Sequence, residues 1–416
     1  MQISPIQANI AAQAIFNFGS GSGLLDVFAS ILEIFPLFPS VPVTEEWTWV
    51  VNVMTNYLGV ETRIALMPNP RISIEFSVGG VDEQKRRLMY GLLASNIKVL
   101  SVMPLYQYAA PVTQRTLAGE TRIYFDPALC NARVGELVVA INRVTQVVQT
   151  GEVATLETDG VTLLAAMGTT MNPDGVWAIA PAIQTLLDDD SGVQFGTKAG
   201  EIRISASSIK DETLQRPGST QTIATYDSLP VVEKTFSAGT QESFSYRREI
   251  MDGGVGIRSA RSADTSLVVD RRVEFFIDRL TDEVDYWREL FATVKGPQKT
   301  FLLSTQLQDL SLSIPHTDGA SLLLINEFSY ETKLFPYDTF KRLKISYTDG
   351  TFSYHTVVVA ETVAGQARIS LDSTLDPGKT LTRISFLQKV RAGPRVKLQH
   401  YADYSKISFG VRTINT

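Results

Sequence analysis

Two stretches of the chain carry the same succession of hydrophobic and polar positions. Arg71–Phe76 (RISIEF) and Arg272–Ile277 (RVEFFI) alternate with period two and include β-branched Ile and Val, which predicts strands with one buried face. Helical spacing comes after each. In the second stretch Leu280, Val284, Trp287 and Phe291 form one apolar stripe, with Thr281 placed to cap the first turn and Gly296-Pro297 to end the helix. In the first, Asp82 is the cap and Leu88 and Leu92 keep the phase, with Lys85 in place of Val284. The strands Ile97–Leu105 and Thr300–Ser304 then complete a strand–helix–strand unit in each half.

An offset of 199 residues aligns the two without a gap: Trp47 falls on Tyr246, Val51 on Ile250, Leu58 on Ile257, Glu75 on Glu274, Phe76 on Phe275, Val81 on Leu280 and Leu92 on Phe291. The chain beyond each unit is strand-rich. After the first come Thr121–Phe125, Glu136–Ile141, Val144–Val148 and Glu152–Leu156. After the second come Leu322–Ile325, Arg342–Tyr347, Thr351–Ala360 and Ala367–Leu371, with Thr348-Asp349-Gly350 as a tight hairpin turn. Arg395–His400 and Lys406–Val411 form a last strand pair that returns to the second sheet. The fold class predicted is mainly β with α+β units: two tandem strand–helix–strand repeats, each followed by a small inserted β-barrel or sandwich. The polar segment Asp211–Asp227, with Pro217-Gly218, is the boundary between the halves. The domains expected are an apolar N-terminal arm (1–42), a first α+β unit (43–110), a first β-rich insert with return strands (111–210), a linker and second α+β unit (211–311), and a second insert with closing strands (312–416).

The arm is apolar and lacks cations. No Lys or Arg precedes Arg63, which argues against a secretory or mitochondrial leader, and no apolar run reaches the ~18 residues of a membrane span. Leu24, Leu25, Val27, Phe28, Ile31 and Leu32 suit one side of a short helix after Gly19–Gly23. Pro36, Pro39 and Pro42 stop it from continuing. An arm this apolar is expected to dock on a neighbouring subunit.

Composition narrows the chemistry. A net charge of −6 gives the molecule no general attraction to nucleic acid. The single cysteine, Cys130, excludes an intrachain disulfide and Cys-rich zinc sites, and reads as a buried structural thiol. His316, His355 and His400 lie in no metal-binding or catalytic spacing. Asp188-Asp189-Asp190-Ser191-Gly192 lacks the EF-hand spacing and reads as a solvated turn. Arg258, Arg261, Arg271 and Arg272, interspersed with Asp252, Asp264 and Asp270, suit a salt-bridged strand edge or subunit contact. Lys389, Arg391, Arg395 and Lys397 suit a solvated strand face. No residue is assigned as catalytic, cofactor-binding or metal-ligating, and no cofactor is expected.

The run Phe38–Phe76 contains Pro39, Pro42, Val43, Glu46-Trp47, Tyr57, Gly59, Glu61, Arg63, Ala65-Leu66, Pro70-Arg71 and Phe76. It resembles a block found in tail proteins of tailed bacteriophages. The second unit, ending in Trp287 and Phe301-Leu302-Leu303, is similar to the same block without counterparts of Gly59, Glu61 and Arg63, and Val390-Arg391 with Val396–His400 resembles the closing strands of such proteins. The resemblance implies a non-enzymatic structural subunit of the virion tail, and the reading it supports is a sheath, hub or adaptor component that oligomerises around the tail axis. The internal duplication lets a threefold ring present six similar units, so a trimer or hexamer is expected. The partners implied are other tail proteins (tube, adaptor, fibres), with no direct nucleic-acid binding. A host receptor-binding role is the alternative, with one insert touching the bacterial surface.

Overall fold

The computed structural model describes residues 33–34, 38–55, 61–81, 83, 86–87, 90–91, 101–127, 129–145, 147–188, 191–195, 200–215, 221–237, 241–245, 248–251, 259–262, 268–278, 283–315, 319–363 and 366–414. The fold is mainly β. The first strands are β1 (Glu33–Ile34), β2 (Ser40–Thr48), β3 (Val51–Thr55), β4 (Glu61–Ala65), β5 (Arg71–Val81), β6 (Ser101–Pro104) and β7 (Ala110–Pro111). Then come β8 (Arg122–Tyr124), β9 (Leu137–Asn142), β10 (Val148–Glu157), β11 (Gly160–Leu163), β12 (Trp177–Leu187), β13 (Gly192–Phe195) and β14 (Gly200–Ser208). The second half supplies β15 (Thr225–Tyr226), β16 (Leu229–Val232), β17 (Gln241–Ser245), β18 (Arg248–Met251), β19 (Ser259–Ser262), β20 (Val268–Asp278) and the helix α1 (Glu283–Val294). It ends with β21 (Phe301–Ser304), β22 (Leu322–Ile325), β23 (Arg342–Tyr347), β24 (Phe352–Val363), β25 (Gln366–Leu371), β26 (Leu381–His400) and β27 (Tyr404–Thr413). The chain forms two compact units, Met1–Glu45 with Arg71–Lys210, and Glu46–Pro70 with Asp211–Thr416.

In unit 1, β6 lies parallel to β1 and antiparallel to β12, β12 continues onto β14, and β14 pairs with β5. From β12 a second run of ladders passes through β9, β10, β11 and β8. The Val112–Phe125 bridge and the β7–β12 pair bring it back, closing a small barrel. The barrel is filled by Ile123, Phe125, Val161, Met171, Trp177 and Ile179, all 5% exposed or less. Cys130 is buried among them. At Gly160 an added Cβ would lie 1.9 Å from the Ile123 carbonyl, so β11 and β8 can approach as they do only without a side chain there.

Unit 2 has the same order of pairing. β21 lies parallel to β16 and antiparallel to β26, β26 pairs with β27, and β27 with β20. Its barrel runs from β26 through β23, β24, β25 and β22, and closes through the Leu312–Ile325 and Leu310–Ile384 bridges. On the sheet, α1 packs Trp287 against Phe275, with ring centroids 4.5 Å apart, and Phe409 lies 5.8 Å from the same indole. Trp47 and Trp49 cover Phe291 at 5.9 and 5.7 Å. The helix ends as Gly296-Pro297 predicts: Lys295 and Gly296 take positive φ of 52° and 57°, and the Lys295 amide donates to the Phe291 carbonyl at 2.9 Å.

Some elements differ from the pattern. Val144–Val148 is not a strand. The Asn142 side-chain carbonyl accepts from the amides of Val144 and Thr145 at 3.0 and 2.8 Å, which turns the chain there, and one long strand, β10, begins at Val148. The register between halves also shifts. In unit 1 the Ile72 amide donates to the Ser208 hydroxyl at 3.0 Å, and in unit 2 the Val269 amide donates to the Thr413 hydroxyl at 2.8 Å. Matching these bonds places Val269 on Ile72, a separation of 269 − 72 = 197 rather than 199. A slip of two keeps every inward residue inward, so alternation alone does not fix it. The caps Asp82 and Thr281, the stripe residues Lys85, Leu88, Leu92 and Leu280, and nearly all of the expected arm lie outside the described residues.

Candidate functional site

Unit 2 contains an arginine-lined cleft of about 700 Å³. Its floor is the β20–β27–β26 sheet and one wall is the β3–β4 hairpin. Direct strand partners place Arg391, Arg412, Asp270 and Ser243 in one row across β26, β27, β20 and β17. Two positions along each strand the side chains return to the same face, which adds Arg272, Gly410 and Gln241. Gly410 contributes no side chain, and the nearest atom to an added Cβ would be 3.9 Å away, so the floor is open at that point.

A break in β26 shapes the mouth. The register with β27 shifts between Ala392 and Val396, so Gly393, Pro394 and Arg395 bulge out of the ladder. The hairpin is tied to this bulge. The Trp49 amide donates to the Pro394 carbonyl at 2.9 Å, and Arg63 donates to the Pro297 carbonyl. The remaining wall atoms come from Val51, Val53, Pro297 and Val411, so the cleft combines apolar walls with cationic groups.

Among the described residues, the side chains of four arginines (63, 272, 391 and 412) and one carboxylate, Asp270, line the cleft, and Arg271 contributes backbone. Arg412 grips Asp270 with two nearly parallel bonds, at 2.7 and 3.0 Å. Arg271 faces the other side of β20, where its side chain is 4% exposed and lies 2.6 Å from Glu242. Burial pushes its guanidinium below the ordinary arginine range, and the charges of Glu242 and Asp309 oppose that shift. Asp309 is in turn pushed up by burial, against hydrogen bonds from the Thr305 hydroxyl and, at 2.7 Å, from the Phe386 amide. Arg391 stands directly opposite Arg412, a like-charge pairing that destabilises neighbouring strands unless anions offset it. Asp270 offsets the charge of Arg412. The arrangement is suited to forking a carboxylate or similar planar anion between guanidinium groups.

The sequence patterns reach part of this site. Arg271 and Arg272 belong to the first basic cluster, and the Arg271–Glu242 pair is the kind of salt bridge expected there. Arg391 departs from its expectation: it is 8% exposed, in the cleft, rather than on a solvated face, because the neighbouring bulge and hairpin cover its strand. Arg395, at 73% side-chain exposure, is solvated as expected. Arg63 and Arg412 carry no local signal, since Arg63 is the one cation of β4 and Arg412 stands six residues from Lys406, the other cation of β27.

The acidic turn plays a different part. Asp188 accepts hydrogen bonds from the hydroxyls of Ser205 and Ser207 at 2.8 and 3.1 Å, and the Ser191 hydroxyl caps the Ser205 carbonyl, so the turn carries β12 over to β13 against β14. Among the described residues no group of acidic, His or Cys side chains is placed to hold a metal ion. His355 is 3% exposed, with Nε2 2.8 Å from the Ser353 hydroxyl and Nδ1 2.9 Å from that of Ser373, while Asp372 is 3.8 Å away. Both ring nitrogens are engaged by hydroxyls, which makes this a satisfied interior histidine. His400 is 2% exposed and bonded to Ser405 at 2.9 Å. Among the described residues no helix is long and apolar enough to cross a membrane.

No protein-family model matches the chain, and no curated protein matches it.

Proposed function

We propose that the chain is a structural subunit of a bacteriophage tail that assembles with copies of itself around the tail axis. The observation that carries this reading is that one chain builds the same pairing scheme twice, parallel pair, return strand, barrel and closing strands, so each copy brings two similar sheets to an assembly. Three copies then present six similar units, which suits sixfold tail geometry. The resemblance of Phe38–Phe76 to phage tail proteins supports the same reading. The arginine cleft adds a contact for acidic groups of neighbouring tail proteins.

The mass of the full chain in solution, measured by light scattering over a wide concentration range, tests the proposal together with its symmetry in particle images. A trimer or hexamer on the tail axis is the expected result. A chain that stays monomeric at high concentration, or that is absent from purified particles, overturns it.

A further inference from the structure

The strand that borders β5 and the strand that borders β20 carry the same residue pattern. β2 and the residue after it read Glu45-Glu46-Trp47-Thr48-Trp49, and β17 and the residue after it read Glu242-Ser243-Phe244-Ser245-Tyr246: acid, any residue, aromatic, hydroxyl, aromatic. Their separation, 244 − 47 = 197, is the one that also matches the Ile72–Ser208 and Val269–Thr413 hydrogen bonds.

The two aromatic positions meet different fates. Trp47 is fully buried in unit 2, 5.9 Å from Phe291, where β2 pairs with β26 and the next amide but one, that of Trp49, is held by Pro394. Phe244 is 58% exposed, and among the described residues β17 is hydrogen-bonded to β20 alone. A large aromatic on an open strand edge is the kind of surface that proteins cover.

The receiving edge has a counterpart too. β26 runs past its bulge with β27 on one flank, and β2 pairs with it as well. In unit 1 the same run is β12, the turn through Asp188 and Ser191, and then β13, which among the described residues is paired with β14 alone. Unit 2 therefore offers a strand with an uncovered aromatic, and unit 1 offers an unclaimed edge of the type on which the equivalent strand sits.

We infer that β17, anchored by Phe244, docks on the β13 edge in unit 1 of a second copy of this chain. The precedent is the seating of residues 46–49 against β26, which is why a second copy, carrying the matching edge, is the occupant. The contact is heterologous, the two surfaces being different, so it repeats from copy to copy and closes a ring or extends a filament. This inference rests on the self-assembly reading above and names the surfaces that perform it.

The test uses the full chain. Phe244→Ser is expected to weaken self-association at least tenfold by light scattering while leaving the thermal melt in place, and Phe244→Trp to retain assembly. Separately, Ser245→Cys and Gln194→Cys chains, each in a Cys130→Ala background, are mixed under mild oxidation. A disulfide-linked dimer is expected from the mixture and not from either chain alone. An oligomer that survives Phe244→Ser and gives no mixed crosslink overturns this inference and leaves self-assembly standing. A wild-type chain that is monomeric throughout overturns the reading beneath it. If Phe244→Ser does not fold, the crosslink decides.

Discussion

The backbone amide of Val269 donates to the Thr413 hydroxyl at 2.8 Å, with both residues 3% exposed, and this bond joins the start of β20 to the end of β27. Replacing Thr413 by Val keeps the shape and removes the acceptor, leaving a buried donor unsatisfied. The expected loss is about 1–3 kcal/mol in denaturant unfolding, with Thr413→Ser close to wild type. Ser208→Ala is expected to act in the same direction through the Ile72 amide. Equal midpoints for Thr413→Val and wild type would show that the bond carries no net stability.

Trp287 is 1% exposed and lies in a ring cluster with Phe275, Phe291 and Phe409. Trp287→Ala empties the space between α1 and the sheet and is expected to cost about 3–5 kcal/mol. Unfolding monitored in unit 2 by the remaining tryptophans measures it, and a near-neutral change would contradict the packing.

Burial holds the His355 imidazole below its ordinary range, against the opposing pull of Asp372 and Asp376. A folded-state value lower than the unfolded one means that the unfolded chain binds the proton more readily. The contribution to stability is therefore present above the usual imidazole value of about 6.5 and is lost as pH falls through the lower folded value. Denaturation measured from pH 8 to 5 is expected to show this decline, and His355→Gln to flatten it. Parallel profiles for the two proteins would remove His355 from the acid response.

Arg272 is exposed in the cleft beside Arg412 and Arg391. A short polyglutamate peptide is expected to bind the wild-type chain at low salt and to be released as ionic strength rises. Arg272→Glu is expected to weaken that binding about tenfold or more, the scale of one charge-assisted hydrogen bond. Titration calorimetry reads both, and equal affinity in the two proteins would place the peptide elsewhere.

Much of the architecture was legible in local pattern. The alternation in Arg71–Phe76 and Arg272–Ile277, the stripe through Trp287 and Phe291, and the Gly296-Pro297 stop all mark real elements, because period and terminators are properties of neighbouring residues. Gly350, at φ 82° in the Thr348–Gly350 turn, is legible for the same reason. The turn at Val144 was not, since it depends on which way the Asn142 side chain points.

The candidate site was legible only in pieces. Arg271 and Arg272 stand out as a pair, but that Arg272 shares a cleft with Arg63, Arg391 and Arg412 depends on β20 meeting β27 across more than a hundred residues.

Residue order by itself determined a β-rich chain with two similar halves, a helix ending at Gly296, and a shortage of cysteine and histidine, since these come from spacing and composition. Tertiary structure decided the rest: that Trp47 and Trp49 are buried with Phe291 while Phe244 is exposed, that matching hydrogen bonds set β20 on β5 at a separation of 197, and that scattered arginines converge. The physical reason is that burial and charge are set by long-range strand register, and a shift of two residues leaves the hydrophobic alternation of a strand unchanged.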